Sequence, residues 1–314
     1  MKSVTAEDLK SLYLPPKSSH KGQNGRLLVI GGSHLFHAAS LWALKVASRI
    51  VDLVHYSSVP ENNEIILKVK TEFRDGIVVA RSDIEAYIKE DDAILIGPGM
   101  VRASGTEISN FEFRISNLKE VEKIENEGLQ TAALINYLMV KYPHKRWVID
   151  AGALQMLDVN LIPKNAILTP HQGEFAGLIA RVQDPRFRDL SETAEMVDQI
   201  KLFAKRFSCI VLVKGEVDIV CHGGDCDGKL CLPGECREIH GGNSGMTKGG
   251  TGDVLAGLIA ALATKNDPFL ATISGAYINK QAGDSLYRRV GPYFNASDLT
   301  DEIPKVMKRI LLGD

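Results

Sequence analysis

Short runs rich in Ile, Leu and Val recur along this chain, and each closes on glycine or on a polar residue. They are RLLVIGG (26–32), DLVHYSS (52–58), AILIGPG (93–99), RWVIDAG (146–152), AILTPHQGE (166–174) and CIVLVKG (209–215). Helical periodicity fills the intervals, at 38–51, 82–89, 130–141, 173–181 and 191–207. A strand apolar on both faces must be covered on both faces, and helices alternating with such strands do this in a parallel sheet. The pattern predicts an α/β fold with a mostly parallel central sheet between helical layers. In sheets of this kind ligands bind beyond the carboxyl ends of the strands. The polar strand ends therefore share one edge: Gly31-Gly32-Ser33, Gly97-Pro98-Gly99, Asp150, His171 to Glu174 and Lys214-Gly215.

One further segment belongs at that edge. Gly241, Gly242, Gly245, Gly249, Gly250 and Gly252 crowd the stretch before Asp253, and an apolar helix pattern follows through Val254, Leu255, Leu258, Ile259 and Leu262. A helix start offers unpaired N–H groups and partial positive charge, and glycines let a phosphate approach the backbone. Gly249, Gly250 and Gly252 thus read as an anion cradle with one carboxylate at its mouth. A simpler reading makes the segment a flexible loop and Asp253 an ordinary N-cap. Asp150 either lines the site or bonds amides at its own strand end, and His171 is either ligand-facing or structural. Lys214-Gly215 suits a phosphate contact. Neither the full G-x-G-x-x-G nor a P-loop motif is present.

Composition narrows the function. Of 314 residues, 45% are apolar and 24% charged, and the net charge is −2. That balance gives no general attraction to nucleic acid or to an anionic membrane. No apolar run approaches the roughly 20 residues needed to span a bilayer. The N-terminus MKSVTAEDLKSLYLPP lacks the apolar core of a secretion signal, so cytoplasmic residence is expected. No linker or repeat divides the chain, which predicts one domain over 1–314. Residues 102–130 are polar and weakly patterned and read as an insertion after Gly99. Cys221, Cys226, Cys231 and Cys236 are evenly spaced, without the close pairs of a zinc site. They suggest a hairpin turning at Asp227-Gly228, with Cys226 facing Cys231 and Cys221 facing Cys236. Free thiols, disulfides and a metal site all stay open for them.

KGQNGRLLVIGGS (21–33), GPG (97–99), VIDAGAL (148–154), LTPHQGE (168–174), VLVKG (211–215) and GNSGMTKGGTGDVLAG (242–257) occur in that order. Together they resemble the NAD(P)H-hydrate dehydratase family of the ribokinase-like superfamily, over about residues 20–285. The resemblance implies a three-layer α/β/α fold and ADP- or ATP-dependent dehydration of hydrated NADH and NADPH, with Mg2+ bridging the phosphates. It implies that Ala39, Gly99, His171 and Asp253 meet the hydrated nicotinamide. The adenine nucleotide would lie along Lys214, Gly215, Glu216, Val217 and Asp218 and against Gly252. Ala38 and Gly152 depart from the family's usual glycine and acid. Family members often carry an epimerase domain ahead of this one; nothing of that size precedes Lys21, so an epimerase is expected on a separate chain. Members often form tetramers, so a homo-oligomer is expected.

The chemistry fits the loop. Phosphorylating the ring hydroxyl turns a poor leaving group into a good one, and elimination then restores the dihydropyridine. Asp253 would be the general base, and its helix N-terminus would lower its pKa and keep it ionised. Two other functions compete: a kinase of a small hydroxylated metabolite such as a thiazole or pyrimidine alcohol, and a non-catalytic nucleotide sensor.

Overall fold

The structure is a computed structural model that describes residues 1–109, 115–187, 195–224 and 234–313. Its strands are β1 (Lys2–Ser3), β2 (Arg26–Ile30), β3 (Leu53–Ser57), β4 (Ile77–Val78), β5 (Ala93–Ile96), β6 (Trp147–Ile149), β7 (Ile167–Leu168), β8 (Ile210–Val213), β9 (Asp218–His222) and β10 (Cys236–Ile239). They form a 10-stranded sheet in the order β1-β10-β9-β8-β7-β6-β5-β2-β3-β4. From β8 across to β4 every pairing is parallel. Only β9 runs against its neighbours.

Strand side chains alternate between faces, so each buried strand feeds two cores. Leu27 and Val29 of β2, Ala93 and Leu95 of β5, and Ile210 and Leu212 of β8 enter one core. Helices His37–Ala47, Thr251–Ala263, Pro268–Val290 and Ala296–Leu312 cover it. Leu28 and Ile30, Ile94 and Ile96, and Val211 and Val213 enter the other, under helices Glu127–Lys141, Ala151–Met156, Gln172–Ala180 and Met196–Phe207. That is the three-layer arrangement expected from strands apolar on both faces. The chain leaves β2 for β3 in one direction and β5 for β6 in the other. The reversal opens a crevice at the carboxyl ends of β2 and β5, where the glycine turns lie.

Several boundaries differ from the sequence reading. The first helix stops at Ala47, before 51. The helix expected at 130 begins at Glu127, because the Asn126 side chain accepts from the Leu129 N–H and caps it earlier. The helix expected over 191–207 begins at Met196, where Glu195 is its extended N-cap, and residues 191–194 lie outside the described ones. Within the 102–130 stretch, read as an insertion, Gly105–Ser109 and Leu118–Glu122 are helical, and Leu118 and Val121 are buried. The fold also uses residues outside 20–285. Strand β1 pairs with β10, and Leu9, Leu299 and Ile303 are fully buried.

Cys221 and Cys236 face each other in the β9–β10 register and are joined by a disulfide, which decides between the alternatives for that pair. Cys226, Cys231 and the turn at Asp227-Gly228 lie outside the described residues. Among the described residues, no helix is long and apolar enough to cross a membrane.

Candidate active site

The glycine loop before Asp253 ends in a tight packing contact. Gly250 is the N-cap of the Thr251–Ala263 helix, at φ +96°, and no side chain caps that helix. A Cβ on Gly250 would lie 2.3 Å from the Trp42 ring and 2.7 Å from Ala296 Cβ. This glycine is therefore required by a left-handed backbone and by close packing. It does not line the cleft described below, and neither does Gly249. Asp253 stands three residues past Gly250, inside the first turn. The N-cap reading of Asp253 is thereby corrected.

Helices His37–Ala47 and Thr251–Ala263 pack together over much of their length: a Cβ on Gly257 would fall 2.6 Å from Ala43 Cα. Ala39 and Asp253 each stand four residues, about one helical turn, before this contact pair. Gly99 lies against Ala39, since a Cβ there would be 3.0 Å from Ala39 Cβ. Of the four residues expected at the nicotinamide side, Ala39 and Gly99 are thus neighbours. Gly152, in place of an acid, lets Met100 approach: a Cβ would fall 2.0 Å from its carbonyl oxygen.

On the other side of Asp253 is Lys214. Its Nζ donates to Asp150 Oδ1 at 3.0 Å, and Thr169 Oγ1 donates to the same oxygen at 2.8 Å. Asp150 is buried and serves this pair rather than loop amides. Burial opposes the charge on Lys214, but Asp150, Glu174 and Asp253 outweigh it and hold the ammonium above its ordinary range. For Asp253, burial and then the charge of Asp150 push the carboxyl up to about 7, with Lys214 acting in the opposite sense. The expectation that the helix terminus would keep this carboxyl low is overturned: desolvation and a neighbouring carboxylate exceed the dipole at this depth.

Beyond Lys214 opens a cleft of about 480 Å³. Lys214, Gly215, Glu216, Asp218 and Gly252 line it, so most of the expected nucleotide set comes together. Val217 does not line the cleft; it is 37% exposed. A Cβ on Gly252 would sit 3.5 Å from Lys214 Nζ, so the glycine leaves the space before that ammonium open.

His171 has a structural duty that its motif conceals. Its Nδ1 accepts from the Glu174 N–H at 3.2 Å, and its own N–H donates to Glu174 Oε2 at 2.9 Å, which caps the Gln172–Ala180 helix. Its ring is largely exposed and lines a cleft of about 270 Å³ with Arg102, Gln155 and Glu174. A parallel bridge pairs His171 with Lys214 and ties the two clefts together. Sequence reasoning left Asp150 open and missed Thr169, which holds it, and Lys280, which lines the larger cleft. Lys280, in mid-helix, carried no signal at all.

Residues 27–305 match the family model described as NAD(P)H-hydrate dehydratase. The chain is 34% identical to a bifunctional NAD(P)H-hydrate repair enzyme of Methanocaldococcus jannaschii, over 96% of this chain and 52% of that protein. It spans about half the length of such relatives. It is 29% identical to the ADP-dependent (S)-NAD(P)H-hydrate dehydratase of Nitrosopumilus maritimus, over 98% of this chain and 97% of that one. In fold it is similar to a ribokinase-like superfamily protein of Enterococcus faecalis, with a TM-score of 0.76 at 19% identity, covering 99% of this chain and 96% of that one.

Proposed function

The chain belongs to the NAD(P)H-hydrate dehydratase family, and from that premise we propose that it converts hydrated NADH and NADPH back to NADH and NADPH, using ADP or ATP. The observation that carries this reading is Asp253. It is a carboxyl held near neutrality beside a lysine, at the mouth of a helix whose start no side chain caps.

The nucleotide occupies the Lys214–Asp218 cleft with its phosphates toward Gly252 and Lys214. The first-turn amides and the Lys214 ammonium face the phosphoryl oxygens and stabilise the charge that spreads over them during transfer. The hydrated ring lies against Ala39 and Gly99, with His171 at its margin, and its hydroxyl meets Asp253. A carboxylate with a pKa of about 7 is a far better proton acceptor than one near 4, yet is substantially ionised at neutral pH. Asp253 takes the hydroxyl proton as the oxygen attacks the terminal phosphorus and AMP or ADP departs. The ring nitrogen's electron pair then expels phosphate, and loss of a proton from the adjacent carbon restores the double bond.

Among the described residues, no group of three His, Cys, Asp or Glu side chains could cage a metal. Mg2+ fits here as a companion of the nucleotide, held by its phosphates and water. When bound it would neutralise phosphoryl oxygens. Relatives that are bifunctional repair enzymes and the (S)-specific name of another support an epimerase acting on the same substrate. A cytoplasmic homo-oligomer, a tetramer as in the family, completes the proposal.

Supplying hydrated NADH with ADP, with ATP, or with neither tests it. Recovery of dihydronicotinamide absorbance only with a nucleotide, together with free phosphate, is the expected result. Accumulation of a phosphorylated alcohol would make the chain a kinase, and binding without turnover would make it a sensor.

A further inference from the structure

Lys280 lies in the middle of the Pro268–Val290 helix, is 5% exposed, and has no part in the chemistry above. Its Nζ donates to the backbone carbonyls of Gly215 at 3.1 Å, Glu216 at 2.9 Å and Gly241 at 3.2 Å, and is 3.3 Å from Asp218 Oδ1. Three ammonium protons thus face four oxygens drawn from two separate segments. One segment is the turn between β8 and β9; the other follows β10. Both line the cleft assigned to the nucleotide. Asp218 closes the ring by accepting the Gly215 N–H at 2.9 Å. Carbonyl oxygens aimed at one buried point repel each other and are costly to leave unpaired. Without a cation between them, the two segments would turn outward to water and the cleft would lose a wall.

We propose that Lys280 is the positioning residue of the nucleotide site: a fixed internal cation that fastens the two loops together and so preorganises the cleft, without touching the nucleotide's phosphates. This rests on the nucleotide-binding reading of that cleft. Preorganised loops save the ordering cost that mobile ones incur on binding, so the loss should appear in nucleotide affinity and not in affinity for the hydrated cofactor, which binds across Asp253.

The test measures ADP binding by calorimetry, and KM for each substrate, for the unaltered protein and for Lys280→Ala with and without n-propylammonium, which replaces the missing side chain. ADP affinity should fall by about tenfold or more, the scale of one lost charged hydrogen bond. Propylammonium should restore much of it, propanol should not, and KM for hydrated NADH should stay within about threefold. Lys280→Ala leaves Asp218 buried without its partner and can fail to fold; Lys280→Met with Asp218→Asn removes that imbalance and is judged by the same ADP criterion. ADP binding within about twofold of the unaltered protein in either folded variant overturns the proposal, as does an equal loss for both substrates. Failure of the unaltered protein to bind ADP overturns the nucleotide reading itself, and this inference with it.

Discussion

Asp253→Asn should move catalysis and stability in opposite directions. The folded carboxyl ionises near 7, against 3.8 for an ordinary aspartate. Below about pH 4 it is protonated whether the chain is folded or not, and it contributes nothing to the pH dependence. As pH rises from there to about 7, the unfolded chain releases the proton first, and stability is lost. Above about 7 the full penalty applies, which is about 4 kcal/mol at 1.36 kcal/mol per unit. Water reaching a half-buried group relaxes part of this, so Asn should stabilise the fold by about 1–3 kcal/mol near pH 8 and by almost nothing near pH 4. For 314 residues that is a rise in Tm of about 2–5 °C. Turnover should meanwhile drop by about 10²- to 10⁴-fold through loss of the base. Thermal melts at both pH values, paired with steady-state rates, read the two effects on one sample. Near-normal turnover, or a Tm that falls near pH 8 as for a lost cap, would refute the reasoning.

The same carboxyl sets the pH profile. kcat/KM should climb with pH through about 7 and level above it, because only the ionised form accepts the proton; a flat profile across that range would exclude Asp253 as the base. Gly252→Val should weaken ADP binding by about tenfold or more while leaving the fold intact, since its branches would enter the open space before Lys214 Nζ. Unchanged ADP affinity would move the phosphates elsewhere. Reduction of Cys221–Cys236, which closes a loop of sequence separation 15, should cost about 3 kcal/mol of stability. Turnover per folded molecule should not change, and a reductant-dependent turnover would contradict a purely structural role.

The sequence made the sheet and its active edge legible because apolar strands and their polar stops are local signals. Lys214 and Gly215 lie just beyond the end of β8, and Gly99 and Asp253 stand in short contiguous motifs that the sequence displays directly. What escaped depends on contacts distant in sequence. Gly250 looked like a phosphate glycine, but its constraint comes from Trp42, far back in the chain. The carboxyl of Asp253 was expected to be low because its helix position was visible and its burial beside Asp150 was not. Lys280 carried no signal in the sequence, and only the folded chain surrounds its ammonium with carbonyls from two other segments.

The most direct test of the proposed route follows one oxygen atom. Hydrated NADH carrying a heavy-oxygen label in its ring hydroxyl is turned over with ADP, and the products are examined by mass spectrometry. If the hydroxyl attacks phosphorus and leaves as phosphate, the label must appear in inorganic phosphate, one labelled oxygen for each dihydronicotinamide formed. Label released into water, with unlabelled phosphate, would mean that the hydroxyl departs without being phosphorylated, and would contradict the assignment of Asp253 and the glycine-loop helix to phosphoryl transfer.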